Sequence, residues 1–325
     1  MLCFAQAYAQ KDPFVGFYKG ELKNVNSYPF QTEPQVCAEV ALFPDGYSFK
    51  LTSEPLKRAD TYALAKNLKA EGGKIAFKDD LKLKLEGVIT PGKIVVKGKN
   101  SKGGEITGEL VKTELTSPTT GLKPPAGATV LFDGKDTSEW VQEDGSPCVW
   151  QIKDGAMISQ PMFVNGKKKD GTIFTKKKFG AVKMHVEFKI PAEYAADPNG
   201  RGNSGVHFGP YEIQIIDSFG GEGCWWQCGA VYRMHAPKVN ASFEPEAWQT
   251  FDIEFTPAKF ENGKLTALPE FTVYQNGVRV QYKEPVYHRT NIAFKNLPHP
   301  QELLPLGLQD HSHPIAFRNV WAQEL

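Results

Sequence analysis

Short alternating stretches, each closed by a turn former, run almost the whole length of the chain, and little of it carries a helical period. In the first third they fall at residues 14–22, 35–42, 46–51, 73–77, 81–85, 93–97 and 104–110. Pro44-Asp45-Gly46, Gly72-Gly73 and Pro91-Gly92 separate them. These residues predict a small antiparallel β domain over 12–115, with one helical stretch around 61–70. Residues 116–128, rich in Pro, Gly and Thr and without periodicity, read as a linker and place the domain boundary.

From Thr129 onward strands recur at residues 130–132, 150–153, 156–159, 172–175, 182–190, 204–208, 211–216, 229–232, 248–256, 270–275, 278–282 and 315–323. Asn276-Gly277 is a two-residue hairpin signal. Many strands with short turns predict an all-β sandwich or jelly roll, whose curved sheet offers a concave face to a ligand. A chain of 325 residues suits two such domains.

The 38 basic residues nearly balance the 37 acidic ones, so no global field favours nucleic acid or an anionic membrane. No apolar run approaches a membrane span. The runs Lys167-Lys168-Lys169 and Lys176-Lys177-Lys178 read as a solvated hairpin or loop. At the N-terminus, Ala7-Tyr8-Ala9 before Gln10 fits a signal-peptidase site, although the basic region and most of the apolar region that should precede it are missing. Residues 1–10 are therefore expected to be a truncated leader, and the protein periplasmic or secreted. Of the five cysteines, Cys224 and Cys228 are close enough for a short-loop disulfide, with a metal pair or two buried free thiols as alternatives.

The stretch YEIQIIDSFG, residues 211–220, combines a strand with unusual chemistry. Alternation puts Glu212 and Gln214 on one face and Tyr211, Ile213 and Ile215 on the other. Asp217 has the opposite parity to Glu212, but a bulge or turn where the strand ends would bring it back; the alternative is the Asp of an Asp-Ser turn. Upstream, Arg201-Gly202-Asn203 offers a guanidinium and an amide in a glycine-containing loop. His207 reads more readily as a packed histidine than as a base. A second concentration of functional groups is Gln309-Asp310-His311-Ser312-His313.

Ordered blocks across this half carry a family resemblance: LFDGKDTSEW at 131–140, WQIKDGAM at 150–157, GNSGVHFGPYEIQIIDS at 202–218, CGAVY at 228–232, WQTFDIEF at 248–255, VYQNGVRV at 273–280 and LGLQDHSHPIAFRNVW at 306–321. Together they resemble the 3-keto-disaccharide hydrolase family over residues 129–325. The resemblance implies a concanavalin/laminin-G-like jelly roll. Members commonly carry an Arg-Gly before the Tyr-Glu of the central strand, where this chain has Gly209-Pro210.

The resemblance also implies a substrate whose sugar hydroxyl at carbon 3 is already a ketone, and hence an upstream sugar oxidoreductase. Such a ketone acidifies the carbon-2 proton and opens a β-elimination route followed by hydration. That route needs a base, an oxyanion donor and an acid. On this reading Glu212 and Asp217 are the acid/base or ligand-orienting groups, and Arg201 and His311 are the oxyanion or hydroxyl partners. Asn203, Gln214 and Gln309 supply hydrogen bonds, with Asp310 beside them, while Tyr232, His235 and Trp225 line or rim the pocket. A divalent ion held by Glu212, His311 and His313 is a further option. No GxGxxG opens a helix after a strand, so no NAD site is expected. Two other readings stand beside this one: a non-catalytic carbohydrate-binding module, and an ordinary glycosidase with a Glu212/Asp217 carboxyl pair.

Overall fold

The computed structural model describes residues 11–25, 34–79, 81, 83–100, 102–193, 200–291 and 296–325. The segment 1–10 expected to be a leader, with Cys3, lies outside them. No helix occurs among the described residues. The chain divides into two units, Met1–Leu115 with Ala192–Asn199, and Thr116–Pro191 with Gly200–Leu325.

The first unit is one nine-stranded antiparallel sheet. Its strands are β1 (Gly16–Lys23), β2 (Gln35–Phe43), β3 (Gly46–Thr52), β4 (Thr61–Leu68), β5 (Ala70–Glu71), β6 (Lys74–Lys78), β7 (Glu86–Thr90), β8 (Lys93–Lys99) and β9 (Glu105–Thr113). Their order is β4-β3-β2-β1-β9-β8-β7-β6-β5, so the first strand pairs with the last and the sheet coils on itself. Across the seam the Leu64 N–H donates to Asp79 Oδ1 at 2.9 Å. Strands such as Lys74–Lys78 alternate exposed lysines with buried Ile75 and Phe77, which place a single apolar core inside the coil.

Two expectations fail in this unit. Residues 61–70 do not form a helix, because Leu64 and Ala65 pair with Lys50 and Phe49 of β3, and Tyr62, Ala63 and Ala65 fill the core. Edge pairing overrides the helix preference of an alanine-containing segment. Among the described residues of 81–85 no strand forms; Leu83 and Leu85 are buried, and the Asp79 N–H donates to Leu85 O at 2.7 Å.

The second unit is a sandwich of two antiparallel sheets. Its strands are β10 (Thr129–Phe132), β11 (Trp140–Gln142), β12 (Gln151–Lys153), β13 (Ala156–Ile158), β14 (Met162–Val164), β15 (Lys167–Lys169), β16 (Ile173–Phe179), β17 (Val182–Lys189), β18 (Ser204–Phe208), β19 (Tyr211–Ile215), β20 (Trp248–Thr256), β21 (Lys259–Glu261), β22 (Lys264–Ala267), β23 (Glu270–Gln275), β24 (Val278–Pro285), β25 (Leu304–Leu308) and β26 (Ala316–Glu324). The long sheet runs β12-β13-β26-β17-β20-β23-β24, with β10 beside β26. The short sheet runs β11-β16-β25-β18-β19. Their inner faces share one core. Phe208 and Tyr211 of the short sheet meet Phe255 and Phe271 of the long one, with ring centroids 5.2 to 5.9 Å apart. Each such pair contributes about 1 kcal/mol beyond its area. The cluster fixes the short sheet from behind.

Asn276-Gly277 joins β23 to β24 as expected, both residues at positive φ. The two basic runs are exposed, one in the β14–β15 hairpin and the other at an irregularity in β16. Residues 229–232 form only isolated bridges, among them Ile213 to Val231. Cys37, Cys148, Cys224 and Cys228 are all free thiols, so the expected short-loop disulfide does not form.

Part of the linker segment is bound to the sandwich. Alternation along β17 buries Val182, Met184, Val186 and Phe188 inward and leaves His185 and Glu187 on the outer face of the long sheet. Residues 117–122 lie across that face. Thr119 Oγ1 donates to Asp252 Oδ2 at 2.8 Å, Ser117 Oγ meets Thr250 Oγ1 at 2.6 Å, and the Gly121 N–H donates to Glu187 Oε1 at 2.5 Å. Asn319 and Trp321 donate to Leu122 O, and Gly277 has no Cβ where Pro118 packs. Beneath, His185 Nδ1 meets Asp252 Oδ1 at 2.8 Å, and Arg318 Nε donates to Glu187 Oε2 at 2.7 Å. Two buried carboxylates facing a histidine and an arginine are tolerable because each is partnered.

Burial alone would lower the His185 pKa, but hydrogen bonds to Asp252 and Glu187 outweigh it and raise the value. Burial likewise works against ionised Glu187, yet its partners hold the carboxyl down at about 2. Stability linked to His185 is therefore full below its ordinary pKa and lost as pH rises through the raised one; that linked to Glu187 is lost as pH falls toward about 2. Thr119→Ala should cost roughly 1–3 kcal/mol by chemical denaturation, since it strips donors from buried groups. A chain started at residue 123 should unfold at lower denaturant than one started at 116, and equal midpoints would show that the strap contributes nothing.

Candidate functional site

The short sheet's outer face is organised by one hairpin. Gly209-Pro210 turns β18 into β19 so that Phe208 pairs with Tyr211, His207 with Glu212, Val206 with Ile213 and Gly205 with Gln214. Core residues occupy one parity. The other parity therefore carries His207, Glu212, Gly205 and Gln214 together on the outer face. Register extends the rows across neighbouring strands: His207 pairs with Gly307, which pairs with Phe174, and Tyr232 stands beyond Glu212, donating its N–H to Glu212 O at 3.0 Å. In the adjacent row the Gln309 N–H donates to Gly205 O at 3.0 Å, next to Gln214.

Glycines make this face a trough. A Cβ on Gly205 would stand 2.6 Å from Glu212 Oε1, and one on Gly307 would stand 2.9 Å from the Phe174 ring and 3.1 Å from His207 Cβ. Only glycine lets those side chains lean across the strands.

Glu212 is buried, and burial alone pushes its carboxyl up to about 8. His207, pushed down to about 4 by burial against the opposing charge of Asp170, stays neutral at ordinary pH. His207 Nε2 and Gln309 Oε1 are buried without hydrogen-bond partners. Two orphaned polar atoms on one face, beside an uncompensated carboxyl, fit a surface awaiting a polar ligand.

The other expected residues are engaged with protein partners or lie off this row. Asp217 Oδ2 accepts from Arg201 Nε at 2.6 Å and its Oδ1 from the Phe219 N–H at 3.2 Å, while the Asp217 N–H donates to Arg201 O. Burial pushes this carboxyl up against the pull of Arg201 and Phe219. The buried pair ties the segment before β18 to the one after β19, so the acid/base group and the oxyanion partner expected here are engaged with each other. Gln214 Nε2 is already occupied by Asn203 Oδ1 at 2.8 Å, Ser204 O and Ile215 O, so Gln214 and Asn203 hold each other. Asp310 accepts from the Gly171 and Ser312 N–H groups and shapes the turn after β25. His311 is exposed on that turn, off the row that holds Glu212. His235 Nε2 meets Pro285 O at 2.7 Å, and its Nδ1 lies 3.6 Å from Glu284, which holds it against β24. Among the described residues no three His, Cys, Asp or Glu side chains assemble as a metal site, so the Glu212, His311 and His313 set is not formed. Glu212, Gln309 and Tyr232 do share the face, and Trp225 stands 6.1 Å from Tyr232.

His207 is the member of the face that alternation alone undervalued. A signal for it was present: once Gly209-Pro210 is taken as a two-residue turn, antiparallel pairing sets His207 opposite Glu212. A groove of about 630 Å³ lies on the first unit, bordered by Lys23, Val88, Val95, Lys97 and Glu109. Its lining buries no unpartnered polar atom, which is why the glycine trough is the better candidate.

Residues 127–323 match the model of the 3-keto-alpha-glucoside-1,2-lyase-like domain. The chain belongs to that family. Among solved structures, a candidate glycosyl hydrolase from Parabacteroides distasonis ATCC 8503 is 35% identical, with 62% of this chain and 85% of that one covered and a TM-score of 0.55. A second candidate glycosyl hydrolase from the same organism is 21% identical, covering 65% of this chain and 98% of that one at a TM-score of 0.45. A search of curated proteins returned no match. The family match begins after the strands of the first unit and covers the sandwich that carries the trough.

Gly205→Ala should displace the Glu212 carboxyl while leaving the core untouched. The expected result is a changed Glu212 titration, followed by carboxyl NMR, with little loss of thermal stability; an unmoved titration would mean that the trough does not set the state of Glu212.

Proposed function

We propose that this member of a carbohydrate-active family is an exported enzyme that cleaves 3-keto-glycosides by abstracting the carbon-2 proton, eliminating the glycosidic oxygen and hydrating the product. The observation that carries the reading is Glu212: a buried carboxyl raised to about 8 without a cation, on one row with a neutral histidine whose Nε2 has no partner.

A desolvated carboxylate is a strong base once ionised, because burial disfavours the charge that protonation removes. In the proposed step the Glu212 carboxylate takes the proton from carbon 2, and that C–H electron pair becomes the enolate of the neighbouring ketone. His207, in the tautomer with Nε2–H, donates to the enolate oxygen; its low pKa keeps it neutral, so it polarises the oxygen without carrying a charge of its own. As the enolate collapses, the bond from carbon 1 to the glycosidic oxygen breaks. The leaving oxygen takes a proton from the Tyr232 hydroxyl, which the newly formed Glu212 acid restores. Water then adds to the unsaturated ketone, so hydrolysis is the net result.

This arrangement disfavours an ordinary glycosidase, because Asp217, the second carboxyl such a mechanism would use, is engaged by Arg201.

The test pairs matched 3-keto and unoxidised glucosides in deuterated water. Cleavage confined to the keto substrate, with deuterium entering at carbon 2, is the expected outcome; equal cleavage of the unoxidised glucoside would sink the proposal. The rate should climb with pH through about 8, the value to which burial raises Glu212. Glu212→Gln should lower kcat by roughly 10²- to 10⁴-fold. The same variant should gain stability over wild type as pH rises from the ordinary carboxylate range through about 8, because a raised carboxyl loses its contribution over that window. Calorimetric melting at acid and alkaline pH reads that difference.

A further inference from the structure

An exposed tryptophan stands beside the proposed site on a loop that is anything but loose. Trp225 is 47% exposed, although its loop is closely bonded. Gln227 Oε1 accepts from the Gly223 and Cys224 N–H groups at 2.6 and 2.9 Å, and Asn240 Nδ2 donates to Ser218 O at 2.5 Å and to Gly221 O at 3.0 Å. The Cys228 N–H donates to Ser218 Oγ at 2.9 Å, and the Arg233 N–H donates to Trp225 O at 3.1 Å. Arg233 has φ +63°, a strained conformation for a side chain of its size, held by these surroundings. Its guanidinium lies over the indole at 5.7 Å from the ring centroid, and the Tyr232 ring stands 6.1 Å away at 50°. Tyr232 is the next residue beyond Glu212 on its row.

Keeping a large apolar ring in water is unfavourable, and a rigid loop with a strained arginine is a poor accident. From this placement we infer that Trp225, oriented by Arg233 and Tyr232, is a stacking subsite for a second sugar ring, the one on the Tyr232 side of the scissile bond. The indole takes the apolar C–H face of that ring, and the guanidinium offers N–H donors to hydroxyls at its rim. The inference rests on the proposed reading of the site for which bond lies over Glu212, but not on the carbon-3 ketone. The subsite makes the enzyme prefer a disaccharide to a glycoside with a small leaving group. Trp225 sets that preference by binding and takes no part in proton transfer.

Calorimetric titration with two unoxidised probes, maltose and methyl α-glucoside, tests it without requiring turnover. Wild type should bind maltose about tenfold more tightly than the methyl glucoside, Trp225→Phe should keep most of that margin, and Trp225→Ala should erase it. A margin that survives in Trp225→Ala, or no preference for maltose in the wild type, overturns the subsite. Loss of the margin together with lost folding cooperativity in Trp225→Ala is resolved by Arg233→Ala, which must narrow the margin on its own if the subsite is real and leave it intact if not. Preference without any cleavage of keto substrates would keep the subsite and discard the elimination route.

Discussion

The proposed chemistry depends on one unfavourable burial. Glu212 sits on a β-strand with no arginine or lysine to offset its charge, and burial alone raises it to about 8. Such a group is stable when protonated and strongly basic when not. The rest of the face is arranged around that cost. Gly205 and Gly307 let side chains lean inward, the aromatic cluster of Phe208, Tyr211, Phe255 and Phe271 stiffens the sheet beneath, and the Arg201–Asp217 pair secures the hairpin's open end.

The opposite face of the sandwich handles buried charge differently. There His185, Glu187, Asp252 and Arg318 partner one another, and the strap at residues 117–122 supplies the remaining donors. Glu187 is accordingly held down at about 2 while Glu212 is raised to about 8, although both are buried glutamates on strands of one sandwich. The difference lies in partners, since burial opposes ionisation in both. One face is a compensated structural cluster. The other holds Glu212 without a cation beside two buried polar atoms that have no hydrogen-bond partner.

Much of this was legible in the sequence wherever the signal is local. Alternation marked most of the strands, Asn276-Gly277 marked its hairpin, and the parity of residues 211–216 put Glu212 opposite the core. Pairings between distant segments were not legible. Asp217 looked like a free carboxyl because Arg201 lies sixteen residues away in the chain, and the strap looked like a spacer because its partners at Glu187 and Asp252 lie far downstream. Residues 61–70 looked helical because propensity is local, whereas the edge of β3 that captures them is not. His207 was an intermediate case. Its partner is close in sequence, but its importance depends on a register that only the two-residue turn determines.

That turn is also where the chain departs from the family resemblance. The family resemblance places an arginine where Gly209 stands. Here Gly209 has φ +56°, and a Cβ on it would come within 2.8 Å of the Leu304 side chain. Pro210 O is held by both the N–H and the hydroxyl of Thr290, each at 3.1 Å. A long side chain at 209 would meet backbone strain and a packed leucine together. Glycine at 209 avoids both costs, and the tight turn it permits brings His207 opposite Glu212. The register that sets His207 against Glu212 therefore depends on a residue without a side chain at position 209.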